Sequence, residues 1–180
     1  MKIDGFDFLK DVVMVDSNIF MNESFRRFLK NELVVAINEY REQTGFNYIV
    51  NIPQTVKEEL IKLQAAEGSD ALHKRTEALK GYETLEALVT KGYARIIKSD
   101  LTGIANGFND VAVLTMLTEL RRYTNVSIIT NDRDFATDLL NLNLLKSVKT
   151  RKKIRVFFVS AKRPSLREWV LNQDREAVRP

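Results

Sequence analysis

The chain has 180 residues, 44% of them apolar and 29% charged, a balance that suits one globular domain with its own core. It has no cysteine, which excludes a disulfide framework or a thiolate-held metal, and a single histidine, His73, which disfavours imidazole-based acid–base catalysis or a histidine-rich zinc site. The net charge of +4 is unevenly spread: nine of the 28 basic residues fall within residues 146–167, which hold no acid, so the remainder carries 19 basic against 24 acidic residues.

In chain order, Val12 to Val15 form an apolar run that predicts a buried strand ending at Asp16. A short helix is expected from Ile19 and a longer one from Glu32 to Gln43, ended by Gly45. Asn47 to Ile52 predict a second strand, and Pro53 suits the first position of a helix running to Ala66. Glu67-Gly68-Ser69 breaks that helix, and Asp70 to Thr90 predict a long amphipathic one. Ala94 to Ile97 predict a third strand, and residues 98–108 a loop. Asn109 to Arg122 predict a helix with Val113, Leu117 and Leu120 on one face. Val126 to Thr130 predict a fourth strand, Arg133 to Leu142 a helix and Ile154 to Val159 a fifth strand. Ser165 to Gln173 suggest a terminal helix anchored by Leu166, Trp169 and Val170. The expected organisation is a domain over residues 1–160 with a helical tail over 161–180.

Strands alternating with helices imply an α/β fold: a three-layer α/β/α sandwich around a parallel sheet of about five strands. Ligands of such sheets bind beyond the carboxyl ends of the strands. There is no GxxxxGK[ST] or GxGxxG to cradle a phosphate, so hydrolytic chemistry would have to rest on carboxylates and hard, oxygen-seeking cations. No stretch is long and apolar enough to span a membrane, and Asp4, Asp7 and Asp11 in the opening segment argue against a leader, so a cytoplasmic location is expected.

The acidic residues fall at telling places. Asp16 follows the first strand, and Asp132 and Asp134 follow the fourth. Each alone serves equally well as a helix cap or first-turn acid. In a parallel sheet, however, carboxyl ends share one edge, and Asp110, opening a crossover helix, starts at that edge too. Glu59 lies about 60° from the Val56, Leu60, Leu63 stripe, whereas Glu58 points nearly the opposite way. Carboxylates gathered this way repel one another and need a cation between them. Asn18 and Thr130 are candidates to position water or phosphate, or simply to close a turn and a strand. Lys149, Arg151, Lys152, Lys153 and Arg155 are candidates to bind a nucleic-acid backbone. Arg26 and Arg27 are candidates for a second phosphate contact or an ordinary solvated face, and Phe157 and Phe158 read as strand core.

These residues resemble the pattern of the PIN-domain family. Asp16-Ser17-Asn18 after a hydrophobic strand, Val56-Lys57-Glu58-Glu59-Leu60 in an early helix, Asn109-Asp110 opening a later one, and Thr130 to Phe135 after the last acidic strand follow its motifs in order. The resemblance implies a metal-dependent endoribonuclease, using Mg or Mn, with Asp16, Glu59, Asp110 and Asp132 as catalytic metal ligands and Asp134 as a supporting acid. The long helix and basic C-terminal region look more like PIN domains of RNA-processing proteins than minimal toxin ribonucleases. Single-stranded or structured RNA is the implied partner; a second copy of the chain and a protein inhibitor or antitoxin remain open. Two other readings stand beside it. One is a catalytically silent RNA-binding or assembly module of the same fold. The other is a phosphatase, which would want an Asp where Asn18 stands.

Overall fold

The chain opens with a hairpin that periodicity does not announce: β1 (Lys2–Ile3) pairs antiparallel with β2 (Phe6–Asp7). A computed structural model describes residues 1–8, 11–68, 71–98, 109–145, 150–163 and 165–171, with residues 109–112 as backbone only. Asp4 and Gly5 turn the hairpin with φ of 50° and 82°, a doubly left-handed geometry that Asp-Gly tolerates better than other pairs.

β3 (Asp11–Val15) is apolar on both faces, as a central parallel strand must be. Val13 and Val15 enter one core and Met14 the other. Two short helices follow, α1 (Ser17–Phe20) and α2 (Glu23–Phe28). A π-helical turn, Leu29–Leu33, joins α2 directly to α3 (Val34–Thr44), where two separate helices were expected. The wider turn keeps Phe28, Leu29, Leu33 and Ile37 all inside the core. Gly45, at φ 72°, ends α3 in a left-handed cap.

β4 (Val50–Pro53) leads straight into α4 (Gln54–Gln64); Pro53 is the residue before the helix rather than its first, extended at φ −55° and ψ 140°. Then come α5 (Ala71–Thr90), β5 (Ala94–Ile97), α6 (Asn109–Leu120), β6 (Asn125–Ile129), α7 (Arg133–Asn141) and β7 (Ile154–Val159). The last element is β8 (Leu166–Trp169).

The strand order is β5-β4-β3-β6-β7-β8, all neighbours parallel except β8, which runs antiparallel to β7. The sheet is therefore mixed and six-stranded, the middle layer of an α/β/α sandwich. Phe20, Phe28, Leu60 and Leu85 pack with Val15, Ile52 and Phe157 on one face. Leu117, Ala136 and Leu139 pack with Met14, Ile128 and Val156 on the other.

The C-terminal helix expected from Ser165 is corrected: Leu166–Trp169 form a strand that belongs to the sheet, and residues 172–180 lie outside the described residues. The exposed edge of β7 offers unpaired backbone groups that a strand can satisfy and a helix cannot. Leu166 is buried opposite Val159, its N–H bonds Asp4 at 2.6 Å, and Trp169 stacks on Phe158 with centroids 4.8 Å apart. Phe157 is core as expected.

Arg26, considered above for phosphate contact, is 4% exposed. Its guanidinium donates to the Phe20 carbonyl at 2.7 Å and to Glu77 at 2.8 Å, fastening α2 to α5. Exposed Arg27 pairs with Glu23 along its own helix. α5 also passes very close to α1. A Cβ at Gly81 would stand 2.8 Å from the Phe20 carbonyl oxygen and 3.2 Å from a Leu60 methyl. Helix propensity alone favours Gly81→Ala by about 1 kcal/mol. Overpacking against fixed backbone costs typically 1–3 kcal/mol and should win. Gly81→Ala is expected to lower the melting temperature by several degrees in calorimetry; a higher melting temperature would contradict the close approach.

Candidate functional site

The chain runs outward from β3 through β4 to β5, then returns to lay β6 on the other side of β3. The crevice at the carboxyl ends of β3 and β6 is thus the topological switch point of the sheet, where α/β folds bind ligands. Val15 is in register with Ile129, so Asp16 and Thr130 leave the sheet side by side.

Asp16 is partly buried and caps α1. One carboxylate oxygen accepts the Ser17 N–H at 2.7 Å. The other accepts the Asn18 amide and the Thr130 hydroxyl, each at 2.7 Å. Thr130 is fully buried, and its hydroxyl oxygen also accepts from Asn18 at 2.9 Å and from the Asp132 N–H at 3.1 Å. The Asn18 side-chain oxygen in turn accepts the Asn131 N–H at 3.0 Å. Asn18 and Thr130, expected to support the acids, thus bridge the two loops.

Asn131 is an addition that the sequence reading passed over. Its side-chain amide donates to the Val159 carbonyl and accepts the Val159 N–H, both at 2.8 Å. It ties the β6 loop to the end of β7 as an extra rung of the ladder. Its place between Thr130 and Asp132 was the only available signal.

Asp132 is exposed and caps α7, accepting the N–H groups of Asp134 at 2.9 Å and Phe135 at 3.0 Å. Asp134 is exposed in the first turn. Glu59 is half-buried, while Glu58 faces solvent and accepts from Gln54 at 2.7 Å, the division expected from helix geometry. Asp16 and Glu59 line one small cleft, walled by Pro53, Val56, Val113 and Phe135. Asp110 lies in the first turn of α6, one turn before Val113; its side chain is outside the described residues.

Burial pushes the Asp16 carboxyl up to about 6. The hydrogen bonds from Thr130 and Ser17 pull it down, and the carboxylates of Glu59 and Asp132 push it further up. Both acids therefore lie close enough to act on Asp16. Among the described residues, however, no three acids stand close enough to share one metal ion.

The basic residues lie elsewhere. Arg151, Lys152 and Lys153 are exposed just before β7 and so sit at the amino edge of the sheet, opposite the acids. Lys149 falls outside the described residues. Arg155, a candidate nucleic-acid contact in the sequence, has its guanidinium engaged within the fold. It bonds the largely buried Asp11 carboxylate at 2.6 and 3.1 Å and the Asp7 carbonyl at 2.7 Å, and it lies over the rings of Phe8 and Phe157. Ser127 also donates to Asp11. An Asp11 carboxylate buried without a cation would be costly, and Arg155 offsets that cost.

Asp16 binds its proton more tightly folded than unfolded, because its folded pKa is raised. Between pH 4 and 6 the native state therefore holds more protons, and stability falls as pH rises, by on the order of 3 kcal/mol at most. In wild type this loss is expected in melting curves between pH 4 and 6; Asp16→Asn should lack that component. Thr130→Val removes a bond to the ionised form, so carboxyl NMR titration should place Asp16 above about 6. An unchanged pH slope in Asp16→Asn would contradict the assignment.

No family model matches the chain, and no curated protein matches it either, so what this crevice can do is carried by its own side chains.

Proposed function

We propose that the chain is a metal-dependent ribonuclease of the PIN type, working at the crevice between β3 and β6. One observation carries the reading: Asp16, its proton affinity raised by burial and by two facing acids, stands at the switch point of the sheet in a cleft whose ionisable lining, among the described residues, is Asp16 and Glu59. The chain has no cysteine, and its single histidine, His73, does not line this cleft, so the donors suit a hard cation such as Mg or Mn rather than zinc. Asp16 with Glu59 or Asp132 would hold such an ion, with water filling the remaining positions. Asp110, from the first turn of α6, and Asp134 are further candidates.

A bound divalent ion would supply Lewis acidity towards phosphate and lower the pKa of a coordinated water. The chain's own groups do the rest. The Thr130 hydroxyl and Asn18 amide converge on one Asp16 oxygen and orient the carboxylate. Asn131 keeps the β6 loop from drifting relative to β7. Arg133, Lys162 and Arg163 are exposed around the same edge and supply positive charge for a phosphate backbone. Preorganisation of this kind supplies rate without movement at the moment of reaction.

A second reading is a silent RNA-binding module of the same fold. It is favoured by the absence, among the described residues, of three acids within reach of one ion.

The test is cleavage of a labelled single-stranded RNA and of a phosphomonoester in Mg, Mn or chelator. RNA cleavage that needs the metal is expected, with no action on the monoester. Asp16→Asn and Asp132→Asn should each lower the rate about 100-fold or more, equivalent to roughly 2.7 kcal/mol of barrier. RNA binding without cleavage in any metal would favour the silent module, and release of phosphate from the monoester would favour a phosphatase.

A further inference from the structure

The exposed basic residues ahead of β7 are far from the acids, and their neighbourhood has a definite construction. Thr150 donates its hydroxyl to the Arg121 carbonyl at 3.3 Å and accepts the Lys152 N–H at 3.1 Å. Lys153 donates its N–H to the Asn125 side chain at 3.1 Å, and its carbonyl accepts the Val126 N–H at 3.0 Å. The Asn143 amide pairs with both backbone groups of Ile154, at 2.8 and 2.9 Å. The turn after α6 and the segment entering β7 are therefore one hydrogen-bonded surface at the amino edge. Arg151, Lys152 and Lys153 project from it into solvent. Tyr123, in that same turn, is 78% exposed, the highest exposure among the large apolar and aromatic side chains described. An exposed ring in a turn hydrogen-bonded to the segment that carries three cations, none with a salt-bridge partner among the described residues, is a combination suited to single-stranded nucleic acid.

We infer that this amino-edge surface is a second RNA-binding site, separate from the crevice, which grips the backbone of single-stranded RNA through Arg151, Lys152 and Lys153 and stacks a base on Tyr123. It rests on the ribonuclease reading for the identity of the strand. β7 spans six residues, so roughly 20 Å separates this surface from the carboxyl edge. A stacked strand advances about 3.4 Å per phosphate, so a substrate touching both edges needs on the order of six nucleotides more than one touching the crevice alone. The substrate class is therefore an extended single strand rather than a short oligonucleotide. Arg155 takes no part, because Asp11 and Asp7 hold its guanidinium.

Two measurements separate the surface from the crevice. The first is fluorescence anisotropy of a 20-nucleotide single-stranded RNA in chelator, across a salt series, with the intact chain. R151E/K152E/K153E should weaken binding at least tenfold and flatten the salt slope by about two, at 0.7 per phosphate contact for a single strand. Tyr123→Ala should weaken binding about fivefold or more with the salt slope kept. The second is cleavage in Mn of the 20-mer and of a tetranucleotide. The triple variant should lose efficiency on the 20-mer alone. Wild-type affinity of the triple variant for the 20-mer, or equal losses on both substrates, would overturn the surface. So would anionic vesicles binding where RNA does not. Cleavage of neither substrate by wild type would overturn the ribonuclease reading, while the anisotropy would still decide the surface.

Discussion

Five rungs of parallel ladder, from Asp11 beside Asn125 to Val15 beside Ile129, hold β3 against β6. What happens at the carboxyl edge depends on that register. It delivers Asp16 next to Thr130, and the hydroxyl of Thr130 then connects Asp16, Asn18 and Asp132. A slip of one residue would send Val13 and Val15 to the opposite core and part Asp16 from Thr130. The register is held because both faces are packed: Val13 and Val15 have no room in the cluster built on Leu117 and Leu139, nor Met14 in the one built on Phe20 and Leu60.

Charge is divided along the same axis. At the carboxyl edge Asp16 faces Glu59 and Asp132, and burial leaves it reluctant to ionise. At the amino edge Asp11 is likewise largely buried, but there Arg155 and Ser127 satisfy it. The two aspartates bracket one strand and differ in what faces them. The one with its own cation is a structural joint. The other is turned towards acids and is held by hydrogen bonds from Ser17, Asn18 and Thr130 rather than by a cation.

The polar network is stiff where it counts. Asn131 extends the β6–β7 ladder by a side-chain rung, and Asn143 bonds both backbone groups of Ile154 at the other end of β7. Both loops flanking β6 and β7 are thereby anchored by amides that mimic backbone. Such anchoring limits loop drift without adding charge.

Much of this was readable in the residues themselves. Strands β3, β5 and β7 and helices α5 and α7 follow from apolar period, and the separation of Glu59 from Glu58 follows from 100° per residue along α4. The Asp4-Gly5 turn carried a signal too, although strands of two residues are too short to show a period. Leu166 to Trp169 could not be settled locally, since four residues fit either period, and the open edge of β7 made them a strand. The basic run read as one binding patch because charge is additive along a chain. Folding divided it: Arg155, alternating inward with the pleat, met Asp11, while Arg151 to Lys153 stayed in water. The sequence by itself determined which segments would be strand or helix and which ends would carry carboxylates, because those depend on neighbours a few positions away. Only the tertiary structure decided which carboxylate meets a cation and which meets other acids, because that depends on partners distant in the chain: Arg155 stands 2.6 Å from Asp11 across 144 positions, and Thr130 2.7 Å from Asp16 across 114.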